Sequence, residues 1–321
     1  EIITVSVTTG VRSAAGAVLS TSHTWQFVVA SRVANGVFSA ASTIATQDNP
    51  YMPALSDFNN DGNLDVAVAN SGSSSVSIRL GNGTGSFTGS TNVAVGSNTW
   101  DIAIGDVNGD TYTDLVASNI NSNTVSIRFG NGAGSFSGST NLSTGNSPYG
   151  VALGDVNGDG NLDLVAASYL GGVAAVRLGN GAGSFSGSTN IGLQTNPTDL
   201  VLGDVNNDGN LDIVAANSNS NTASIRLGDG AGGFSGSTNV SVGNGPVGVA
   251  LGDVNGDGNL DLVTANRSGN SVSIRLGDGT GGFSGTTTLT GISTCYGLAL
   301  GDLDGDGDLD IVASRYTSNN V

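Results

Sequence analysis

One acidic loop of nine residues occurs six times in this chain, and it constrains the fold more than any other feature of the sequence. The third copy reads Asp155-Val-Asn-Gly-Asp-Gly-Asn-Leu-Asp163. Successive copies are always 49 residues apart, with first aspartates at Asp57, Asp106, Asp155, Asp204, Asp253 and Asp302. A fixed period of this length is the sequence signature of a repeat architecture, in which each unit packs on its neighbours.

The loop carries side-chain oxygens at positions 1, 3, 5 and 9, and position 6 is glycine in five of the six copies. Ca²⁺ takes about six to eight oxygen ligands, which alternate side chains and the position-7 carbonyl of a curled loop can supply. The alternative is a tight hairpin that collects Asp, Asn and Gly as turn formers. Acid at positions 1, 5 and 9 in every copy favours calcium, because a turn gains nothing from clustered like charge.

Each loop continues into alternating apolar sequence that is typical of a strand. In the third unit we predict strands at 150–153, 162–168, 173–178 and about 185–191, with a glycine-rich turn at 179–183. Four short strands per 49 residues predict an all-β fold, a β-propeller of four-stranded blades.

The repeat phase reaches both ends of the chain. Phe38 lies 49 residues before Phe87, so residues 24–46 are similar to the second half of a repeat, and Val321 aligns with the start of a third strand. We therefore expect six blades closed by N-terminal strands, which removes exposed sheet edges. The alternative is a truncated seven-bladed propeller.

Residues 1–23 precede the repeats and are expected to be a terminal strand segment, while residues 24–321 form the propeller. The alternating stretches Ile3–Val7 and Thr24–Val29 predict two strands. With its Thr-Trp-Gln-Phe sequence, the second stretch resembles the end of a bacterial Ig-like domain. Residues 1–23 are then the end of such a domain or a linker.

The acidic charge of the chain is concentrated in the loops. They hold 20 of the 25 aspartates, while the formal net charge is −17. Six Ca²⁺ ions would bring that charge to about −5, which suggests metal-site charge. The nine arginines form no basic run and lysine is absent, so we expect no nucleic-acid partner. Multi-carboxylate calcium sites suit an extracellular or cell-surface location.

The string Gly-Asp-Val-Asn-Gly-Asp-Gly-Asn-Leu-Asp-Leu-Val, followed some twenty residues later by Arg-Leu-Gly-Asn-Gly-x-Gly-x-Phe, resembles the FG-GAP or VCBS repeat family. Integrin α-subunit propellers and many secreted bacterial proteins are similar. The resemblance spans about residues 36–321 and implies a propeller with up to six Ca²⁺ ions, one in the hairpin between strands one and two of each blade.

The resemblance also implies the ligands, which occupy positions 1, 3, 5, 7 and 9, with position 7 acting through its carbonyl. They are Asp57, Asn59, Asp61, Asn63 and Asp65; Asp106, Asn108, Asp110, Tyr112 and Asp114; Asp155, Asn157, Asp159, Asn161 and Asp163; Asp204, Asn206, Asp208, Asn210 and Asp212; Asp253, Asn255, Asp257, Asn259 and Asp261; and Asp302, Asp304, Asp306, Asp308 and Asp310.

Two loops depart from the pattern. Thr111 stands where the turn favours glycine, so we expect the second site to be the weakest if that position needs a positive φ. The sixth loop has five aspartates and should bind calcium tightly.

Two other repeated positions invite a functional interpretation. An arginine recurs every 49 residues from Arg79 to Arg275. It either binds an anionic ligand or, as we favour, pairs with a loop aspartate or caps backbone carbonyls between blades. Aromatic residues six positions before four of the loops either form a ligand face that stacks on sugars or pack between blades; they are Tyr51, Trp100, Tyr149 and Tyr296.

The sequence favours a non-enzymatic module. The single histidine, His23, lies outside the repeats, no catalytic motif surrounds it, and the lone cysteine, Cys295, is expected to be a buried, inert thiol. We expect adhesion or a structural role, with a protein or glycan partner or self-association, and no membrane insertion. The alternatives are a carbohydrate-binding propeller and a non-catalytic appendage of a secreted enzyme.

Overall fold

The computed structural model describes residues 2–7, 23–28 and 44–315. Within these ranges every regular element is a β-strand, and no helix long and apolar enough to span a membrane is present among them. The first two strands, β1 (Ile2–Val7) and β2 (His23–Val28), pair antiparallel with Ile2 opposite Val28.

Five repeats each form an antiparallel sheet in which strands pair in chain order; these sheets are named blades 1 to 5. Blade 1 contains β3 (Pro50–Ser56), β4 (Asp65–Asn70), β5 (Ser75–Gly81) and β6 (Phe87–Ala94). Blade 2 contains β7 (Thr99–Gly105), β8 (Asp114–Asn119), β9 (Thr124–Gly130) and β10 (Phe136–Ser143). Blade 3 contains β11 (Pro148–Gly154), β12 (Asp163–Ser168), β13 (Val173–Gly179) and β14 (Phe185–Gly192).

Blade 4 contains β15 (Pro197–Gly203), β16 (Asp212–Asn217), β17 (Thr222–Gly228) and β18 (Phe234–Ser241). Blade 5 contains β19 (Pro246–Gly252), β20 (Asp261–Asn266), β21 (Ser271–Gly277), β22 (Phe283–Ser284) and β23 (Thr288–Thr290). Its fourth strand is thus divided into two short pieces, both paired with β21. A final pair, β24 (Cys295–Gly301) and β25 (Asp310–Arg315), forms a two-stranded sheet.

These strands confirm the all-β, four-strand repeat predicted from the sequence, and the third unit differs from its predicted bounds by no more than two residues. The strands predicted near residues 3–7 and 24–29 are also present. The Ig-like origin of that hairpin stays a prediction. So does closure into six blades, because residues 29–43 and 316–321 lie outside the described residues.

Burial explains the sequence of each strand. The second strand of blades 1 to 5 is fully buried, as in β12, because both of its faces are covered, and its interior positions are mostly Leu, Ile, Val and Ala. The fourth strand is a sheet edge, and its middle residues are exposed in blades 1 to 4. It is rich in Ser, Thr and Asn, which suits a solvated edge.

The chain packs as two compact units. The first, Glu1–Leu142 with Gly181–Gly183, has a core in which Ala67 and Ile78 of blade 1 pack with Leu115 of blade 2. The second is Ser143–Asn180 with Ser184–Val321. Its cores lie between blades 3 and 4, between blades 4 and 5, and between blade 5 and the β24–β25 pair. Small alanines alternate with Val, Ile and Leu in these cores, which lets neighbouring sheets interdigitate.

Candidate metal-binding loops and repeated surface positions

The six acidic loops each connect the first and second strands of a repeat, as the sequence predicted. They are named loops one to six in chain order; loop three, for example, is Asp155–Asp163 between β11 and β12. Position 1 follows the end of the first strand, and position 9 is the first residue of the second strand. The two ends of each loop, and with them the candidate ligands at positions 1 and 9, are therefore held by a pair of hydrogen-bonded strands.

The position-1 carboxylate curls the loop around itself. In loop three, Asp155 Oδ1 accepts hydrogen bonds from the backbone N–H of Gly158 (2.7 Å) and Asp159 (3.2 Å), and Oδ2 accepts one from Gly160 (2.8 Å). The Asn157 Oδ1 atom accepts the Asp159 N–H at 2.9 Å. Because these oxygens and amides face the interior of one turn, positions 1, 3 and 5 are gathered by backbone geometry.

Two residues of every loop adopt left-handed backbone conformations. Position 6 was predicted to need a positive φ, and Gly160 (88°) and Thr111 (75°) confirm it. Position 4 was missed, although its signal is plain, since it is always Asn or Gly. Its residues all have φ between 57° and 79°, and they are Asn60, Gly109, Gly158, Asn207, Gly256 and Gly305. These residue types tolerate that region best.

The position-9 aspartate is a structural anchor as well as a candidate ligand. Asp163 is completely buried, and its two oxygens accept the N–H of Val156 (3.0 Å) and of Gly179 at the end of β13 (2.7 Å). Glycine is required at that strand end, because a Cβ on Gly179 would overlap the Leu162 carbonyl oxygen. The carboxylate thereby ties loop three to the third strand, a contact that recurs in loops one to five.

The loop carboxylates differ in their electrostatic environment. Burial raises the pKa of Asp163, and it raises the pKa of Asp114 to about 6. The exposed Asp159 at position 5 shows the opposite shift, because the hydrogen bond from the Asn161 backbone lowers its pKa. Buried and clustered carboxylates carry an unfavourable energy that a nearby cation relieves.

Loop six brings three carboxylates closest together. One oxygen from each of Asp302, Asp304 and Asp310 lies within 4.8 Å of the others. Asp306 and Asp308 are not in this trio. Position 3 is asparagine in the other loops, whose amide oxygen offers a neutral ligand. Such an all-oxygen donor set fits a hard divalent cation of the Ca²⁺ type.

Three of the four aromatic side chains predicted as a ligand face contact another aromatic ring. Tyr51 and Trp100 lie with ring centroids 4.2 Å apart. Tyr149 stacks on Tyr169 at 4.6 Å. The Tyr51–Trp100 contact joins blades 1 and 2, as the packing alternative expects, whereas the Tyr149–Tyr169 contact lies within blade 3. The ligand face stays a prediction. Sequence reasoning missed Tyr169, because it lies in a turn and has no counterpart in the repeat pattern.

The fourth aromatic, Tyr296, lies beneath a cation. The guanidinium carbon of Arg267 is 4.8 Å from its ring centroid, a cation–π geometry. Burial raises the pKa of Tyr149, with smaller contributions from Tyr169 and Tyr296. The second unit therefore contains an aromatic cluster with one positive charge.

The repeated arginines cap backbone carbonyls between blades, which confirms one of the two structural alternatives. Arg128 of β9 donates from Nε to the carbonyl of Ala94 at the end of β6 (2.9 Å) and from Nη1 to the carbonyl of Thr140 (3.0 Å). The equivalent hydrogen bond, also between residues 34 apart in the sequence, runs from Arg79 Nε to the carbonyl oxygen of Ala45 (2.7 Å). Ala45 thus occupies the position that ends a fourth strand in the other repeats, which agrees with the repeat phase predicted for residues 24–46.

Cys295 on β24 is fully buried, and burial raises the pKa of its thiol to about 11. The prediction of a buried thiol is confirmed. Such a thiol has little thiolate character at neutral pH, so it is a poor nucleophile.

The sheets and loops together define a β-propeller. The chain belongs to the FG-GAP-like repeat family, whose model matches five overlapping segments, 57–117, 106–166, 155–215, 204–264 and 253–313. No curated protein matches the sequence.

Solved structures of similar fold come from proteins with different roles. One is a lectin from Agrocybe aegerita that recognises non-reducing terminal N-acetylglucosamine (18% identity, TM-score 0.54, covering 83% of this chain and 71% of the lectin). Another is BBS1N in complex with ARL6DN (16%, 0.61, 93% and 82%). A third is a candidate 6-phosphogluconolactonase from Bacteroides fragilis (15%, 0.61, 80% and 72%). At these identities the likeness shows the propeller fold alone.

Proposed function

We propose that the chain is an extracellular, calcium-binding propeller that acts as a non-enzymatic adhesion or structural module. Calcium would be held by oxygens at positions 1, 3, 5, 7 and 9 of each loop, up to six ions in all. When bound, the ion supplies positive charge that neutralises the clustered carboxylates. The loop backbone already curls the side chains, and in loops one to five the position-9 aspartate already joins the loop to the third strand.

The observation that carries this proposal is the trio of Asp302, Asp304 and Asp310, whose carboxylate oxygens lie within 4.8 Å of one another. Three negative charges at that separation repel each other strongly without a cation. The other loops have Asp, Asn and Asp at these positions, so they offer the same kind of oxygen ligands with one carboxylate fewer.

The module is proposed to contact a protein or a glycan at a surface, or further copies of itself. Support comes from the neighbours of similar fold, among which are a lectin and a protein in complex with ARL6DN. Within residues 44–315, the loop carboxylates are engaged in their own turns and offer no separate acid–base pair. The candidate lactonase among the neighbours is similar in fold only.

The proposal is tested on intact cells that produce the native protein. Antibody binding and protease digestion from outside should reach the chain, and removal of calcium with EGTA should make it several-fold more sensitive to protease, with restoration by added Ca²⁺ but not by Mg²⁺. Protection from external protease would contradict the extracellular assignment. Accessibility without any effect of EGTA would contradict the role of calcium.

A further inference from the structure

The glycine-rich turn between the third and fourth strands of a blade lies against the acidic loop of the preceding blade. In blade 5 this turn is formed by residues 277–282, named here the blade-5 turn. Its Gly281 N–H donates to the carbonyl oxygen of Val205, position 2 of loop four (3.1 Å). The equivalent bonds run from Gly232 to Val156 (3.0 Å) and from Gly134 to Phe58 (2.9 Å). This contact between neighbouring repeats is therefore part of the repeat itself.

Val205 connects the blade-5 turn to a buried carboxylate of loop four. The residue is only 2% exposed, and its N–H donates to Oδ2 of Asp212, position 9 of the loop (2.9 Å). Its carbonyl oxygen accepts the Gly281 N–H. The two backbone polar groups of one buried residue thus join a candidate ligand of loop four to the turn of the next blade.

The other side of the blade-5 turn is attached to loop five. The Gly277 N–H donates to Oδ1 of Asp261, position 9 of loop five (2.8 Å). The side chain of Asn259, position 7, lies directly over the turn, since a Cβ on Gly279 would overlap Asn259 Oδ1. The blade-5 turn therefore contacts candidate ligand residues of two loops.

A side-chain hydrogen bond also joins these two loops directly. Asn207, position 4 of loop four, donates from Nδ2 to Oδ1 of Asn259 at 3.0 Å. Loop one also has asparagine at position 4, but the next loop has Tyr112 at position 7, which offers no amide oxygen. Loop three has Gly158 at position 4, which has no side chain to reach Asn210. In the sequence, loops four and five are thus the one successive pair with asparagine at both positions.

We propose that the contact between Asn207 and Asn259 couples calcium binding in loops four and five, so that an ion in either loop raises the affinity of the other. This inference rests on the calcium binding of the proposed function and adds cooperativity to it. Asn207 lies between two candidate ligands, Asn206 and Asp208, and is ordered with them when loop four is occupied. Its side chain then holds Asn259, whose carbonyl is the position-7 ligand of loop five, so part of the ordering entropy is already lost.

The expected coupling is modest and reciprocal. An amide hydrogen bond at the surface contributes little, so we expect coupling of about fourfold in affinity. When two equivalent loops fill over the same range of calcium, coupling of that size lowers the midpoint of each by about twofold. Linkage requires loop five to affect loop four as strongly as loop four affects loop five.

Hydrogen–deuterium exchange of the full chain at a series of buffered free Ca²⁺ concentrations, read by mass spectrometry, gives a separate calcium midpoint for the peptides of each loop. Asp208→Ala removes an exposed ligand of loop four and should raise the midpoint of loop five by about twofold. Asp257→Ala in loop five should raise that of loop four equally. The control is Asp61→Ala, the same change in loop one of the other compact unit, which should leave both midpoints unchanged.

Asn207→Gly tests the contact itself. Glycine occupies position 4 in four of the six loops, so the turn should form, and melting in EDTA verifies that each variant is folded. We expect the loop-five midpoint to rise as in Asp208→Ala, with no further rise when the two changes are combined, because both remove the same coupling. Asn60→Gly makes the matched change in loop one and should leave the midpoints of loops two and five unchanged.

The outcomes separate this inference from the calcium proposal. If calcium protects both loops but Asp208→Ala or Asn207→Gly leaves the loop-five midpoint at its wild-type value, the coupling is overturned and calcium binding stands. If Asn60→Gly raises the loop-two midpoint as much as Asn207→Gly raises that of loop five, the amide pair is not its cause. If neither loop responds to calcium in the wild-type chain, both proposals are overturned.

Discussion

Loop two and loop six adopt the same backbone turn but differ in the source of their unfavourable energy. In loop two, Thr111 adopts a φ of 75°, whereas loop six has Gly307 with a φ of 97°. The first carboxylate holds the turn in both cases, since Asp106 Oδ2 accepts the Thr111 N–H and Asp302 Oδ2 accepts the Gly307 N–H. Loop two thus contains backbone strain, while loop six contains charge repulsion.

The last aspartate of each loop sharpens the contrast. Asp114 accepts two backbone N–H groups, from Val107 (3.0 Å) and Gly130 (2.8 Å). Asp310 accepts the N–H of Leu303 at 2.9 Å, the equivalent of the contact between Asp114 and Val107. One Asp310 oxygen also lies within 4.8 Å of an oxygen of Asp302 and of Asp304. Loop two therefore shows a position-9 aspartate as an anchor, and loop six shows the same position within a group of carboxylates.

The largest expected effect comes from removing the buried anchor. Asp114→Ala leaves the N–H groups of Val107 and Gly130 without an acceptor, and we expect a loss of about 3 kcal/mol in the free energy of unfolding. Urea unfolding in excess EDTA measures this loss without any contribution from calcium.

The control for this experiment is Asp110→Ala, which removes an exposed carboxylate from loop two. We expect it to change the free energy of unfolding by less than about 1 kcal/mol in EDTA. Equal losses for Asp110→Ala and Asp114→Ala would show that position 9 is not an anchor.

Relief of backbone strain should have a smaller effect. Thr111→Gly should raise the free energy of unfolding by about 1 kcal/mol. The reason is that the strain of a β-branched residue in the left-handed region exceeds the conformational entropy that glycine loses on folding. The reciprocal change, Gly160→Thr, should lower it by about 1–2 kcal/mol. Urea midpoints of the two variants provide the measurement, and a stabilised Gly160→Thr protein would refute the strain argument.

Calcium affinity should follow the same ranking. We expect loop six to bind most tightly and loop two most weakly, because five aspartates attract the ion in one and a strained turn must be maintained in the other. Titration of chains in which single loops are disabled, by Asp110→Ala in loop two or Asp306→Ala in loop six, separates their contributions. Indistinguishable affinities would count against the ranking.

The smallest effect is expected at Cys295, which lies on the strand leading into loop six. With a pKa of about 11, about a thousandth of the thiol is ionised at pH 8, and its burial slows reaction further. Iodoacetamide should therefore label the native protein slowly in calcium and faster in EDTA, as the β24–β25 hairpin loosens. Urea-unfolded protein gives the maximal labelling rate. An equal labelling rate of the native protein in calcium and in EDTA would show that loop six does not stabilise this hairpin.

Much of the fold follows from local pattern. The period of 49, the alternation around each loop and the glycines predict the strands to within two residues, because burial on both faces dictates their composition. The need for a positive φ at Thr111 also follows from spacing alone. Contacts between residues that are far apart in the sequence do not follow as easily. The bond between Asp163 and Gly179 spans 16 residues and becomes visible only when the third strand is paired.

Contacts without a repeated pattern were the least predictable. Tyr149 on β11 stacks on Tyr169 in the turn after β12 of the same blade, and Arg267 in the turn after β20 lies over Tyr296 on β24. Both contacts depend on turn residues that differ from one repeat to the next. Repetition makes such departures readable, because each blade is a control for the others.

Equilibrium dialysis of the metal-free protein against ⁴⁵Ca²⁺ tests the central claim most directly. The loops should take up several ions per chain, up to six, and Asp302→Ala combined with Asp304→Ala should remove one of them. Melting of the same samples should rise with calcium occupancy. Absence of bound calcium at millimolar concentration, or bound calcium whose amount is unchanged by those substitutions, would contradict the account.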